Sequence, residues 1–282
     1  MNTFRADLHC HTTCSDGSLT PEQIVTLAKE IGLSALSITD HDTVDAYTTA
    51  LPLSEKLGLV LLPGVEFSAV WEQESVHILG YGFTLQDPSI QTFCDAHAKR
   101  RLDRNMAILE KLAKNRMPLS YEEVLVAASS PSEERKKKTI GRPHIALALM
   151  AKGYVKSIQE AFRYHIGEGC PCYDQGSFFG VVETIELLHN ANGIAIIAHP
   201  HLIREETVLA ALLKLNFDGI ECYYSNQSPK NNERWIKIAQ TKQWLMTGGS
   251  DFHGISRRPD DRLGSSWVNE EIFNKLLACL KK

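Results

Sequence analysis

A chain of 282 residues, 43% hydrophobic, can bury a barrel-sized core, alone or with an inserted subdomain. No apolar run reaches the roughly eighteen residues of a membrane helix, and the first seven residues lead into a strand without a signal-peptide pattern. Seven cysteines, an odd number without framework spacing, predict reduced thiols and a cytoplasmic protein with no membrane partner. The net charge of −4 conceals an asymmetry. Residues 93–177 hold 15 Lys and Arg against 10 Asp and Glu, leaving 15 against 24 for the rest. A basic segment beside an acidic body points to an anionic ligand.

In chain order, a strand over 4–8 precedes Thr20-Pro21-Glu22-Gln23, a capping box with proline at the first helical position. Ile24, Leu27, Ala28 and Ile31 then recur at helical spacing up to Gly32. A strand over 35–39, a helix over 43–57 and a strand over 59–63 continue the βα rhythm, with strand pieces at 66–71 and 76–82. The middle breaks it. A long helix over 93–115 carries an apolar stripe of Leu102, Met106, Leu109 and Ala113, with basic residues elsewhere. Helices over 121–128, 144–151 and 158–165 follow, separated by a polar loop over 129–138. The alternation resumes with helix 181–191, strand 194–198, helix 206–213, strand 219–222, helix 229–241, strand 244–246 and helix 270–281. This order predicts an α/β TIM-like barrel, residues 1–92 and 178–282, holding a helical basic insertion at 93–177.

Polar residues gather where the apolar runs end. His9 and His11 close the first strand, and two residues apart on an extended chain they aim at one face. Asp16, Asp40-His41-Asp42, Glu66, His77, His199 and Asp251-Phe252-His253 follow, so six of the eleven histidines lie at such ends. In a TIM-like barrel those ends form the active face. With no thiolate in the set, imidazole and carboxylate suit Mn, Zn or Fe. A glutamate such as Glu66 can bridge two metals about 3.5–4 Å apart, the spacing that clamps a phosphoryl displacement. His97, His165, His189 and His201 read as ordinary core or loop residues, and Cys170-Pro171-Cys172 as an ordinary cysteine pair.

The stretches Asp7-Leu8-His9-Cys10-His11-Thr12, Ser15-Asp16-Gly17, Ile38-Thr39-Asp40-His41-Asp42, Gly64-Val65-Glu66, His77, Ala198-His199-Pro200 and Gly249-Ser250-Asp251-Phe252-His253-Gly254 resemble the PHP (polymerase and histidinol phosphatase) phosphoesterases. The resemblance implies a distorted (β/α)7 barrel and three divalent metals per chain. It places one metal on His9, His11, Glu66 and Asp251, a second on Glu66, His77 and His199, and a third on Asp16, His41 and His253. Asp7 and Asp42 would orient imidazoles or stand as plain strand-end polar residues. Asp251, His253 and His199 would hold the reacting centre, either histidine protonating the leaving oxygen only if a metal does not claim it.

Gly141-Arg142-Pro143-His144, the run Arg100, Arg101 and Arg104, and Gly219-Ile220-Glu221-Cys222-Tyr223-Tyr224-Ser225 resemble one branch of that family. Its members are nucleoside 3',5'-bisphosphate phosphatases and a 5'-to-3' exoribonuclease. This implies a small phosphorylated nucleotide or a short RNA 5' end as partner, with Arg142, His144 and Arg101 gripping a phosphate. Tyr223 and Tyr224 could stack a base or pack the rim. A histidinol-phosphate phosphatase, or a metal-stabilised module without catalysis, remains the alternative.

Overall fold

Strands β1 (Ala6–Asp7), β2 (Ala35–Leu36) and β3 (Val60–Leu61) form a parallel sheet in sequence order, joined by helices α1 (Pro21–Glu30) and α2 (Tyr47–Leu57). The computed structural model describes residues 3–128, 139–225, 229–254 and 262–280. The capping box forms: Thr20 Oγ1 accepts from the Gln23 amide at 3.2 Å and Gln23 Oε1 from the Thr20 amide at 2.8 Å. Ile24, Val25 and Ala28 bury the inner face of α1.

Strands β4 (Gly64–Trp71) and β5 (Glu74–Tyr81) are an antiparallel pair. Helices α3 (Pro88–Lys114), α4 (Tyr121–Ala128), α5 (Arg142–Ala151) and α6 (Ile158–Ala161) come next, α6 running into a π-helical turn, Phe162–Ile166. Then follow α7 (Val181–Asn190), β6 (Ile194–Ile197), α8 (Glu206–Leu212), β7 (Gly219–Tyr224), α9 (Pro229–Lys242), β8 (Leu245–Gly249) and α10 (Glu270–Cys279). The second sheet runs β4-β5-β6-β7-β8, antiparallel up to β6 and parallel from β6 to β8.

Of the expected architecture, the α/β class holds. The protein has a mixed α/β fold, and among the described residues its ladders form two sheets and no closed barrel. Only two residues, Glu72 (φ 57°) and Gln73, connect β4 to β5. So short a link forces an antiparallel pair, because a parallel crossover takes a dozen residues or more. Single bridges join Ala6 to Val268, Cys10 to Phe252 and His41 to Glu66.

By chain contacts the molecule divides into two units, residues 1–93 with 179–282, and residues 94–178. The first packs Leu8, Leu79, Tyr81, Ile196, Phe273 and Leu276 into a buried core. The second packs Ile108, Leu112, Val124, Ile145, Leu149 and Ile166. Here the expected stripe on α3 holds at Leu109, which is buried in this core, and fails at its other three positions. Leu102 is 41% and Met106 44% exposed, and Ala113 is exposed, while Arg101, Arg104, Asn105, Ile108 and Leu112 are buried. The loop expected at 129–138 lies outside the described residues. None of the seven cysteines forms a disulfide, and among the described residues no helix is long and apolar enough to cross a membrane.

Candidate metal centre

The end of β1 meets the end of β8 through backbone hydrogen bonds: Leu8 N–H donates to Gly248 O at 3.1 Å and Asp251 N–H to His9 O at 2.7 Å. That pairing carries His9, His11 and Asp251 to one place. Gly249 makes it possible, since a Cβ there would lie 2.3 Å from His9 N and 2.5 Å from His9 Cβ. Asp251 Oδ1 lies 3.3 Å from His9 Nε2 and 3.1 Å from His11 Nε2. Glu66 Oε2 lies 3.4 and 3.3 Å from the same two nitrogens.

Glu66 is 1% exposed and divides its oxygens. Oε1 sits 2.8 Å from both His77 Nδ1 and His199 Nε2, which are 3.2 Å apart. Oε2 faces His9, His11 and, at 3.1 Å, His41 Nδ1. Asp16 Oδ1 lies 3.3 Å from His253 Nε2 and 3.9 Å from His41 Nε2. All nine expected ligand positions thus fall in one cluster around Glu66. Groups of mutually close donor atoms are His9-His11-Glu66-Asp251, His11-Asp16-His41-His253 and His41-Glu66-His77. His11 and His41 each belong to two of them, more sharing than the sequence implied.

The donors fit divalent metals. His9 Nε2, His41 Nδ1 and Glu66 Oε2 are fully buried yet form no hydrogen bond. Atoms bound to one metal at about 2.0–2.2 Å sit roughly 3.0–3.5 Å from one another, and Glu66 Oε2 and Asp251 Oδ1 stand at 3.1–3.4 Å from Nε2 of His9 and His11. The imidazole tautomers agree. His9 Nδ1 donates to Glu221 Oε1 at 2.9 Å and His253 Nδ1 to Asp251 O at 2.8 Å, which leaves Nε2 of each with a lone pair facing the cluster. Three residues here hold left-handed backbone, Asp42 (φ 58°), His199 (φ 24°) and Asp251 (φ 52°). Strain of this kind gathers at functional sites.

Electrostatics follow from the burial. Desolvation opposes charge on His9, yet Glu221, Asp251 and Glu66 hold its imidazole well above the ordinary range. Against the same burial, Asp251 and Glu66 push His11 up to about 10, and Glu66 and Asp251 raise His199. His41 goes the other way, down to about 3, because burial outweighs Glu66 and Asp16. Burial alone would raise the carboxyls, but His41, His77 and His9 hold Glu66, and His9 and His253 hold Asp251, well below the usual range. Without metal at pH 7, His11 therefore carries a proton that a metal must displace, and the raised pKa values of His9 and His199 favour their protonated forms. Mn²⁺ loading at pH 7 is expected to release protons, with affinity falling as pH falls. Calorimetric titration in two buffers of different ionisation enthalpy measures this; identical heats would rule it out.

The expected role of Asp7 comes out differently. Asp7 touches no imidazole in these hydrogen bonds: it accepts from the amides of His9, Ser250 and Gly264, and burial raises its carboxyl to about 6. Asp42 accepts from the Ser68 amide at 2.7 Å. The carboxylate that orients His9 is Glu221, which also accepts from the His199 amide at 2.6 Å. Asp40 gathers the Thr12 amide and the Thr12 and Ser15 hydroxyls, fixing the loop between His11 and Asp16. Tyr223 packs on the core, while Tyr224 donates its O–H to Asp251 Oδ2 at 2.7 Å. His189 pairs with Asp218 at 2.8 Å.

Arg142, His144 and Arg101 belong to the second unit. Arg142 lies over the Tyr173 and Phe162 rings, 5.2 and 5.8 Å from their centroids. Burial, with Arg101 as a like charge beside it, lowers its pKa. His144 is buried, and its Nδ1 accepts from the Gly141 amide at 3.0 Å. A Cβ on Gly141 would lie 3.3 Å from Arg101 Nη1. Arg100, Arg101 and Arg104 are at most 9% exposed, so they form no solvated basic face.

Residues 7–168, more than half of the chain, match the family model described as PHP domain. The chain belongs to the PHP domain family. A 5'-3' exoribonuclease named Rnm from Salmonella typhimurium is 32% identical over 254 residues, 88% of this chain and 84% of that one. A 3',5'-nucleoside bisphosphate phosphatase from Chromobacterium violaceum is 27% identical over 252 residues, covering 88% and 86%. A crystal structure from Bifidobacterium adolescentis, provisionally assigned as a metal-dependent phosphoesterase, superposes with a TM-score of 0.86 at 31% identity, covering 97% and 96%.

Proposed function

We propose that the chain is a metal-dependent phosphoesterase that hydrolyses 3',5'-bisphosphorylated nucleotides and removes nucleotides from the 5' end of phosphorylated short RNA. One observation carries this reading: buried Glu66 turns Oε1 to His77 and His199 and Oε2 to His9, His11 and His41. That is the disposition of a carboxylate shared between metals. The two PHP relatives named for RNA and bisphosphate substrates, matched over 88% of this chain, support the substrate class. The two sheets are read as parts of a distorted (β/α)7 barrel.

Three divalent ions, Mn, Zn or Fe, would be held by His9, His11, Glu66 and Asp251; by Glu66, His77 and His199; and by Asp16, His41 and His253. When bound, such ions supply an acidified water and Lewis-acid stabilisation of phosphoryl oxygens. Glu221 fixes the His9 ring, and the Asp251 carbonyl fixes that of His253. His253 thus has no nitrogen to spare as a proton donor.

Arg142, with Arg101 and His144, is proposed to grip a phosphate that is not cleaved. Losing such a grip removes binding shared by ground and transition states. Arg142→Ala should therefore raise KM on 3'-phosphoadenosine 5'-phosphate (pAp) more than it lowers kcat, by about ten- to a hundredfold in kcat/KM, the value of a bidentate charged contact. An unchanged KM would reduce Arg142 to a helix-start arginine held by two rings. Phosphate release with Mn²⁺ from pAp, short 5'-phosphorylated RNA and histidinol phosphate tests the substrate class. Hydrolysis of histidinol phosphate alone would replace this reading with a histidinol-phosphate phosphatase.

A further inference from the structure

Side chains three positions apart on a regular strand point to opposite faces. On β7, Glu221 and Tyr224 break that rule. Glu221 reaches the His9 ring and the His199 amide, and Tyr224 reaches Asp251, so both face the metal centre. The register against β8 explains it. Glu221 pairs with Thr247 and Tyr223 with the very next residue, Gly248, which leaves Cys222 as an extra residue, a β-bulge. One inserted residue brings an i, i+3 pair onto the same face. Gly248 makes room for it, because a Cβ there would lie 2.5 Å from both the Cβ and the carbonyl oxygen of Tyr223.

We propose that Tyr224 is a positioning residue that makes Asp251 present a single oxygen to the metals, an inference that rests on the cluster being a metal centre. The two Asp251 oxygens are in different situations. Oδ1 faces His9 and His11 Nε2 at 3.3 and 3.1 Å, while Oδ2 accepts the Tyr224 hydroxyl at 2.7 Å. A carboxylate with both oxygens open can bind a metal through either or both. A phenol on one oxygen selects the other. The phenol is itself held: the His201 ring packs on it at 4.4 Å between centroids. Tyr224 thus acts on the carboxylate of Asp251 as Glu221 acts on the imidazole of His9, and the bulge puts both partners on one strand.

The test is Tyr224→Phe, which removes the hydroxyl and keeps the ring, beside Tyr223→Phe on the core side of the same strand. Mn²⁺ affinity is measured by calorimetry, the Co²⁺-substituted absorption spectrum is recorded, and thermal unfolding of the metal-free proteins checks the fold. Tyr224→Phe is expected to weaken Mn²⁺ binding about 10- to 100-fold, the usual cost of losing a partner of a metal ligand. It should also alter the Co²⁺ spectrum and lower kcat on pAp with KM little changed. Tyr223→Phe should match the unsubstituted protein in all of these. An unchanged Mn²⁺ affinity and Co²⁺ spectrum in Tyr224→Phe would overturn the proposal while the metal centre stood. If Asp251→Asn bound Mn²⁺ as tightly as the unsubstituted chain, the metal reading of Asp251 would fail, and this inference with it.

Discussion

Glu66→Ala should abolish turnover of pAp and strip more than one metal from the chain. Among the described residues no other side chain meets five imidazoles, at 2.8 to 3.4 Å, through two separately directed oxygens. Losing one preorganised electrostatic stabiliser costs about 10²–10³ in kcat. A shared ligand should exceed that, because two groups of donors lose their anion at once. Metal analysis after Mn²⁺ loading is the check, since the intact protein should approach three ions per chain. Loss of only one ion in Glu66→Ala would remove the bridge, and at most one ion in the intact protein would remove the trinuclear reading. The variant also leaves His9 and His11 buried with one counter-charge fewer, so its metal-free form should be less stable.

Gly249→Ala should be strongly damaging although it alters no polar side chain. The added methyl would lie 2.3 Å from His9 N, 2.5 Å from His9 Cβ and 2.7 Å from Asp7 Oδ1. Two of those three atoms belong to the backbone or to the first side-chain carbon, so no rotamer change relieves the clash. Overpacking typically costs about 1–3 kcal/mol and sometimes more; with backbone in the way, about 3 kcal/mol or above is expected. The displaced strand end carries His9 on one side and Asp251 on the other, so Mn²⁺ affinity should fall together with Tm. A Tm and a Mn²⁺ affinity both equal to those of the unsubstituted protein would show that β1 and β8 do not meet so closely.

The residues that cluster around Glu66 were legible because they stand where apolar runs stop, and because His9 and His11 alternate in an extended segment. Glu221 was harder to see as an orienting carboxylate. It lies inside the strand Gly219–Tyr224, and the bulge at Cys222 breaks the alternation that would have placed its neighbours. Asp7 misled for a related reason: a strand-end carboxylate beside a histidine suggests a ring partner, yet it is spent on three backbone amides. On α3 apolarity pointed to Leu102 and Met106, whereas the buried face includes three arginines and Asn105. A hydrophobic pattern cannot find a buried face that mixes arginines and Asn105 with its apolar residues. The hairpin β4-β5 was read as two strand pieces, and its two-residue link could have announced the antiparallel pair.

The most direct test of the account uses RNA carrying a 5'-monophosphate and a 3' label, incubated with metal-stripped protein before and after Mn²⁺ is restored. The account predicts no hydrolysis by the stripped protein. With Mn²⁺ it predicts 5' mononucleotides appearing before the 3' label is lost, and faster degradation than of the same RNA with a 5'-hydroxyl. Equal rates on the two RNAs with internal fragments first, or full activity without metal, would contradict it.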